Sequence, residues 1–431
     1  MNKIKVSMII PVYNGAEFIR RSFDSCIYQT LKEIEVIAVN DFSPNPRDAE
    51  IMREYEELYP GRFRALFHET NKRQGGARNT GIHAARGEYF LCVDQDDYID
   101  FDMCDKMYNK AIQSKADLCI CGYKIYSNGN TSKIPPVLCT IEYMNTGTAE
   151  VWKILVKTSF VISNGAYFPE NLVTDDLISI LWFALTDKYV IVDDVFYNWV
   201  RHKNSESMRL AYRFFVSIPA SLLSISRYSA FITLPNEKKE EMALIITHYL
   251  CDVVLSCLKH QPKRITEICS LVKETLEIYK PNFLNEIFTS TTYGIRYSSI
   301  LKYVCEHYNE KCFAKKLDVF SDTLIAKLIK EELLFKYNAE VSIAIYGAGI
   351  RGKRLAGYLY SADIPFEVTD SNPALYGHEF CGRIIKPWSE LKRSTNVVIV
   401  SPLGEFDKIK AIINDSSIDI IDFLNYNVIK N

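Results

Sequence analysis

Residues 94–97 read Asp-Gln-Asp-Asp and follow directly on the apolar run Tyr89 to Val93. A buried strand that ends in Asp94, Asp96 and Asp97 delivers three carboxylates to the edge of a sheet, where open α/β sheets bind ligands. Acids so close repel one another and resist desolvation unless a cation sits among them. Mg²⁺ and Mn²⁺ prefer oxygen ligands together with substrate phosphates. The triplet therefore reads as a holder for Mn²⁺ or Mg²⁺ on a diphosphate. The plainer reading has Asp100 or Asp102 capping a helix from Met103 to Ser114, with the earlier acids solvated.

A second constellation lies just upstream. Gln74-Gly75-Gly76-Ala77-Arg78-Asn79-Thr80-Gly81 combines glycines, which let backbone come close to a ligand, with an arginine able to neutralise phosphate oxygens. Taken with the acids, it suggests a cation and Arg78 facing one diphosphate. A loop leading into a helix, with Arg78 solvated or salt-bridged, is the alternative.

The elements that must position these groups follow from the apolar pattern. Val6 to Val12, Ile34 to Val39, Arg64 to His68 and Tyr89 to Val93 are short apolar runs separated by helix-period stretches. That alternation implies right-handed βαβ crossovers and a parallel sheet covered on both faces. Tyr13, Asp41 and the acidic triplet all fall at strand C-terminal ends. Leu118 to Tyr123 and Tyr189 to Val192 add strands, 134–165 is a mixed region that could shape an acceptor cleft, and Asp175-Asp176 open an apolar helix, Leu177 to Leu185. From about Leu210 to Tyr337 apolar residues recur at three and four spacing, which marks an all-helical region whose Tyr and Leu stripes are core. Strands return at Ser342 to Tyr346, Phe366 to Thr369, Asn396 to Val400 and Ile418 to Phe423. The expected domains are 1–209, 210–338 and 339–431.

Composition sets outer bounds. The 431 residues exceed what one core serves. With 51 basic and 53 acidic side chains the net charge is −2, which offers no field for a polyanion and disfavours nucleic acid as a partner. Twelve cysteines are scattered without a C-x-x-C pair or zinc-type spacing to histidine, so they read as small core residues of a reducing, cytosolic compartment. Met1-Asn2-Lys3-Ile4-Lys5 runs into a strand with no apolar h-region, so no signal peptide is expected. The weakly charged stretch from Phe214 to Leu234 is interrupted by Pro219, Arg227 and five serines. A spanning helix needs roughly 20 mostly apolar residues, so peripheral membrane contact is expected rather than an integral span.

Read in order, Val6-Ser7-Met8-Ile9-Ile10-Pro11-Val12-Tyr13-Asn14, Val39-Asn40-Asp41, Ala77-Arg78-Asn79-Thr80-Gly81, Val93-Asp94-Gln95-Asp96-Asp97 and Thr174-Asp175-Asp176 resemble the motif set of family 2 glycosyltransferases. Each motif is loose, but five in order are specific, and they cover about half of the chain. The resemblance implies an α/β fold class: a GT-A nucleotide-diphosphosugar-transferase-like mixed sheet, here followed by an all-α region and a small Rossmann-like α/β domain. It implies inverting transfer from a nucleotide-sugar donor, with uracil the expected base, to a saccharide or lipid-linked saccharide acceptor in bacterial surface glycan synthesis. Pro11 and Tyr13 would line the base pocket, Asp41 would hydrogen-bond the base, and Arg78 would lie near the nucleotide. Asp94 would sit by the ribose and donor sugar, and Asp96, with Asp97, would hold the metal.

The same resemblance makes Asp176 the catalytic base, with Asp175 as fallback. A carboxylate at a helix N-terminus stays ionised and can take the proton of an attacking hydroxyl, although Thr174 could equally cap a helix that the acids merely favour. Arg201 and His202, in the basic segment Tyr197 to Ser205, would close over the diphosphate or be solvated. Phe42 stands where the family commonly has glycine, and Asp175 where glutamate is usual.

Finally, Gly347-x-Gly349-x-x-Gly352 with Asp370 at the end of the next strand fits a dinucleotide fingerprint in spacing and could form a second nucleotide site. The stretch looks like one βαβ unit plus an extension, too small for a full dinucleotide domain, and its glycines could serve packing alone. A sugar oxidoreductase working through it lacks a nearby Tyr-x-x-x-Lys. A catalytically silent scaffold is the remaining alternative.

Overall fold

The computed structural model describes residues 3–127, 129–136, 149–173, 176–202, 212–281, 292–337, 342–361, 364–401, 406–415, 417–422 and 427–429. Contacts divide the chain into two compact units, Met1–Phe283 and Leu284–Asn431.

The first unit is built on a nine-stranded mixed sheet. Strands β1 (Val6–Val12), β2 (Ile34–Asn40), β3 (Phe63–Phe67) and β4 (Tyr89–Cys92) run parallel in the order β3-β2-β1-β4. All seven residues of β1 and of β2 are buried, as continuous apolar runs covered on both faces require. The chain leaves β1 through helix α1 (Ile19–Ile27) to β2, goes on through α2 (Pro46–Leu58) to β3, and returns through α3 (Arg73–Ala84) to β4 on the other side of β1. The switch point thus lies between β1 and β4, where this class of sheet opens a crevice at its strand C-termini.

Two local details explain why the chain turns there. Asn45 caps α2 by accepting the Arg47 N–H at 3.1 Å, with Pro46 at the first helical position. Asp48, in the first turn of α2, accepts the Gly15 N–H and the Ser43 hydroxyl, at 3.1 and 2.7 Å, and so fixes the turn after β1.

The rest of the sheet makes it mixed, as the resemblance implies. Short β5 (Tyr98–Ile99), then α4 (Met103–Gln113), β6 (Leu118–Ser127), β7 (Asn130–Ile134), β8 (Ile154–Lys157), α5 (Thr158–Asn164), α6 (Ile178–Leu185) and β9 (Tyr189–Val200) complete it. β8 is antiparallel to both β4 and β6, and β5 is antiparallel to β9. Asp102 precedes α4 without a side-chain cap bond, and Asp100 instead accepts from Lys124 Nζ and Asn198 Nδ2, at 2.9 and 2.8 Å.

The helical stretch expected as one domain over 210–338 divides at 283. Helices α7 (Tyr212–Ile225), α8 (Ser229–Ile232), α9 (Asn236–His260) and α10 (Ile265–Tyr279) belong to the first unit, where α9 packs on α6 and Tyr279 Oη donates to the Leu222 carbonyl at 2.8 Å. Among the described residues α9 is the one helix long and apolar enough to cross a membrane, and more than half of its apolar stretch is buried inside the unit. Helices α11 (Thr292–His307) and α12 (Phe313–Tyr337) belong to the second unit, because Leu328 of α12 joins the core under its sheet.

That second sheet has seven strands, the expected βαβ unit extended on both sides. β10 (Ile343–Tyr346), α13 (Ile350–Ser361) and β11 (Phe366–Thr369) form the unit itself, and β12 (Glu379–Phe380) and β13 (Arg383–Lys386) extend it beyond β11. β14 (Val397–Val400), β15 (Asp419–Asp422) and β16 (Asn427–Ile429) extend it on the other side of β10.

Candidate active site

The crevice at the C-terminal ends of β1, β2 and β4 gathers most of the expected residues. Arg78, wholly buried, is at its centre. Nη2 donates to Asp94 Oδ1 at 2.8 Å, Nη1 donates to Asp176 Oδ1 at 2.6 Å, and the guanidinium lies over the Phe168 ring at 5.2 Å. One planar fork thus ties the end of β4 to the start of α6. Gln74, one helical turn earlier on the same face of α3, donates to Asp94 Oδ1 at 2.7 Å.

The glycine-bearing segment is helix, with Arg78 salt-bridged as the plainer reading has it. Gly81 serves the seating of α3 on the sheet, since a Cβ there would lie 2.3 Å from Ile9 Cγ2. Asn79 pins the following loop. Its Nδ2 donates to the Phe168 carbonyl and its Oδ1 accepts the Phe168 N–H, both at 2.9 Å, which steadies the chain leading to Asp176. Thr174 and Asp175 lie outside the described residues.

The acids after β4 point in different directions. Asp94 faces Arg78, and Asp96, half-buried, holds His202 with Oδ2 to Nε2 at 2.7 Å. The His202 ring stacks on Phe18 with centroids 4.6 Å apart. Asp97, expected beside Asp96 on a metal, faces the interior and is 1 % exposed. Its Oδ2 accepts from Tyr197 Oη at 2.9 Å and its Oδ1 accepts the Val200 N–H at 2.8 Å. Burial, then the charges of Asp96 and Asp94, pushes its pKa well above the usual carboxylate range. It is an anchor for the acidic loop. Among the described residues no group of three or more His, Cys, Asp and Glu is arranged to hold a metal.

On the other wall, Pro11 is buried and Tyr13 is 44 % exposed at the mouth. Asp41 is buried against its own surroundings. Oδ1 lies 2.8 Å from His68 Nδ1 and accepts the Lys72 N–H at 2.8 Å. Because a carboxylate only accepts, Nδ1 carries the proton, and a neutral ring then takes the Thr80 hydroxyl at Nε2, 2.8 Å away. Phe42 next to it has φ +56° and is 59 % exposed, so the loop keeps at this position the left-handed backbone that suits glycine.

Residues 7–168 match the family model described as glycosyl transferase family 2. The chain carries a family 2 glycosyltransferase domain. Over 133 residues it is 41 % identical to the uncharacterized glycosyltransferase EpsJ of Bacillus subtilis, a match covering 31 % of this chain and 38 % of that one. It is 27 % identical over 221 residues to the poly(ribitol-phosphate) beta-glucosyltransferase of Bacillus spizizenii, covering 48 % of this chain and 34 % of the relative. The chain thus spans less than half the length of either relative. Residues 1–349 of S. aureus TarS, solved with UDP-GlcNAc, superpose with a TM-score of 0.58 at 19 % identity, covering 76 % of this chain and 92 % of that one. The glycosyltransferase domain shares its GT-A fold with this neighbour.

Beyond the matched region, Arg201 is exposed and stacks on Trp199 at 4.2 Å. Four residues not singled out from sequence complete the site: Gln74 and His68 as described, Tyr197, which holds Asp97 and accepts the Asp94 N–H at 3.0 Å, and Gln95. Their signal was an adjacency in sequence only for Gln74 and Gln95.

In the second unit the glycine loop holds itself. Gly347 has φ +109°, and a Cβ at Gly352 would meet the Gly347 carbonyl at 2.1 Å. Asp370 Oδ2 accepts the Ala348 N–H at 2.8 Å and Ser401 Oγ donates to the Gly347 carbonyl at 2.9 Å. Gly349 has open space around it. These contacts account for Gly347, Gly352 and Asp370 by packing.

Proposed function

We propose that this protein is an inverting glycosyltransferase that moves a sugar from a UDP-type nucleoside-diphosphate sugar to a hydroxyl of a saccharide or lipid-linked saccharide, in surface polysaccharide synthesis. The observation that carries it is the Arg78 fork, joining Asp94, inside the region that matches family 2 glycosyltransferases, to Asp176 just beyond it. The names of the relatives, and the UDP-GlcNAc bound to the fold neighbour, support the substrate class. Exposed Lys259, His260, Lys263 and Arg264 around the α9–α10 turn support contact with an anionic inner membrane face from the cytoplasm.

Asp96 supplies a carboxylate whose Oδ2 is held by the His202 Nε2–H, and Mg²⁺ or Mn²⁺ commonly takes one or two protein carboxylates and completes its shell with substrate phosphates. That donor set fits a metal held jointly with the donor, with Asp94 adjoining. Such an ion offsets charge on a departing nucleoside diphosphate. Tyr13 offers its exposed ring to the base. Asp176, aimed by Arg78, takes the proton of the acceptor hydroxyl while that oxygen attacks the anomeric carbon. The bond from that carbon to the diphosphate oxygen breaks on the opposite face, its electron pair leaves with the nucleoside diphosphate, and the anomeric configuration inverts.

The test is incubation with a panel of UDP, GDP and CDP sugars and oligosaccharide acceptors, with and without Mn²⁺. Nucleoside diphosphate release and the anomeric configuration of the product are read by NMR. Metal-stimulated release that Asp96→Ala abolishes, with an inverted product, is expected. No release with any donor, or a retained configuration, overturns the reading.

A further inference from the structure

The registered pairing of β1 with β4 ends at Ile9–Cys92, and one more bond, Val93 N–H to the Ile9 carbonyl at 3.0 Å, closes it. Beyond that point the loop bearing Tyr13 leads into α1, where the Phe18 and Ile19 N–H groups donate to the Gly15 carbonyl at 2.8 and 3.1 Å, and this loop and the loop bearing the acids also draw on different partners. The Tyr13 side is held towards α2, by Asn14 N–H on Ser43 Oγ at 2.9 Å and Gly15 N–H on Asp48. The acidic side is held towards α1 and β9, through Ser22 on the Asp94 carbonyl at 3.2 Å and Tyr197 on Asp97 at 2.9 Å.

Gln95 joins the two. Its Oε1 accepts the Tyr13 N–H at 2.9 Å and its Nε2 donates to the Tyr13 carbonyl at 3.0 Å, so one amide grips both polar groups of one residue. The space it occupies exists because residue 15 is glycine. A Cβ on Gly15 would lie 2.2 Å from Gln95 Oε1, although Gly15 is not among the residues of positive φ, so it is room that glycine provides here.

We propose that Gln95 is a positioning residue that keeps the nucleoside wall at Tyr13 in register with the diphosphate and metal residues Asp94 and Asp96. This rests on the roles given to those residues above. A ligand that spans both walls engages its second half at the effective concentration the first half sets, and that advantage survives only while the walls keep their spacing. A fragment that touches one wall gains nothing from the clamp.

The experiment compares two ligands on the full chain by calorimetry in Mn²⁺: the tighter of UDP and GDP, which spans both walls, and inorganic pyrophosphate, which reaches only the acidic one. Variants are Gln95→Ala and Gln95→Met, the second keeping the bulk against Gly15 without the hydrogen bonds, and thermal unfolding confirms that each is folded. Nucleoside diphosphate binding at least tenfold weaker in both, with pyrophosphate binding within twofold of wild type, is expected. Unchanged nucleoside diphosphate binding, or an equal loss for both ligands, overturns the clamp alone. A wild-type protein that binds neither nucleotide overturns the clamp together with the function on which it rests.

Discussion

Arg78 Nη1 and Asp176 Oδ1 lie 2.6 Å apart, although 98 residues separate them in the chain. The guanidinium is wholly buried while the carboxylate keeps a face to solvent, with 29 % of its side chain exposed. A buried cation between two half-buried carboxylates orients both without hiding either. This is how α3, which carries no acid of its own in this cluster, sets the distance between donor and acceptor sides of the crevice.

Arg78→Ala leaves Asp94 and Asp176 without their shared cation. Removing one partner of a buried pair costs about 3–5 kcal/mol, and the lower end applies because both acids reach water. Arg78→Lys keeps the charge but has one ammonium where a fork held two acids, so it should fold nearly as well and still lose most activity. Urea unfolding alongside turnover checks both, and a fully active Arg78→Lys would show that the fork geometry is unimportant.

Asp176→Asn removes the proton acceptor and keeps the shape. Turnover should fall roughly 10²–10⁴-fold, with nucleotide affinity changed less than threefold. Initial rates and calorimetric titration separate the two, and a parallel loss of affinity would make Asp176 a structural residue.

How far the sequence revealed this site follows from the physics of each contact. The strands carrying Tyr13, Asp41 and Asp94 were readable because a strand buried on both faces must be an unbroken apolar run, and polar residues appear where it leaves the sheet. The direction of Asp97 was not, because it depends on Tyr197 a hundred residues on, a separation that no local period encodes. The extent of helix α3 is blurred by its glycines, which weaken helix propensity, although Gly81 is needed where the helix rests on Ile9. In the second unit the short hairpin of β12 and β13 turns at Cys381 and Gly382, both of positive φ, and its few half-exposed residues leave no apolar run to recognise.

At the opposite end of the sheet, Glu35 gives a prediction for pH. It is wholly buried, and burial pushes its pKa up. Bonds from Arg86 Nη2 at 2.6 Å, the Ser7 hydroxyl at 2.7 Å and the Arg86 N–H at 2.7 Å outweigh that, so the net shift is downward. A folded-state value below the unfolded one means that the stabilisation is complete above the unfolded value, about 4.3 for glutamate. It is lost as pH falls through the folded value. Glu35→Gln should therefore be less stable at pH 7, by roughly 1.5–3 kcal/mol for hydrogen bonds to a charged group. Its urea midpoint should also decline less than that of wild type between pH 5 and 3. Equal slopes would place the acid sensitivity elsewhere.

Phe42 separates stability from binding. A left-handed backbone costs a side-chain-bearing residue roughly 1–2 kcal/mol, and glycine returns about 0.5–1 kcal/mol of this through its freer unfolded chain. With φ at +56° and the ring 59 % exposed, Phe42→Gly loses little packing, so it should stabilise the first unit by up to about 1 kcal/mol. The backbone on either side of Phe42 is held, with Asn40 Oδ1 accepting the Ser43 N–H at 2.8 Å and Asn71 Nδ2 donating to the Asp41 carbonyl at 2.9 Å. The exposed ring, two residues beyond the end of β2, is placed to meet a ligand of the crevice, so nucleotide binding should weaken in the same variant. Denaturant midpoints and UDP titration run side by side decide it: a stabilised protein with unchanged affinity would leave the ring without a role.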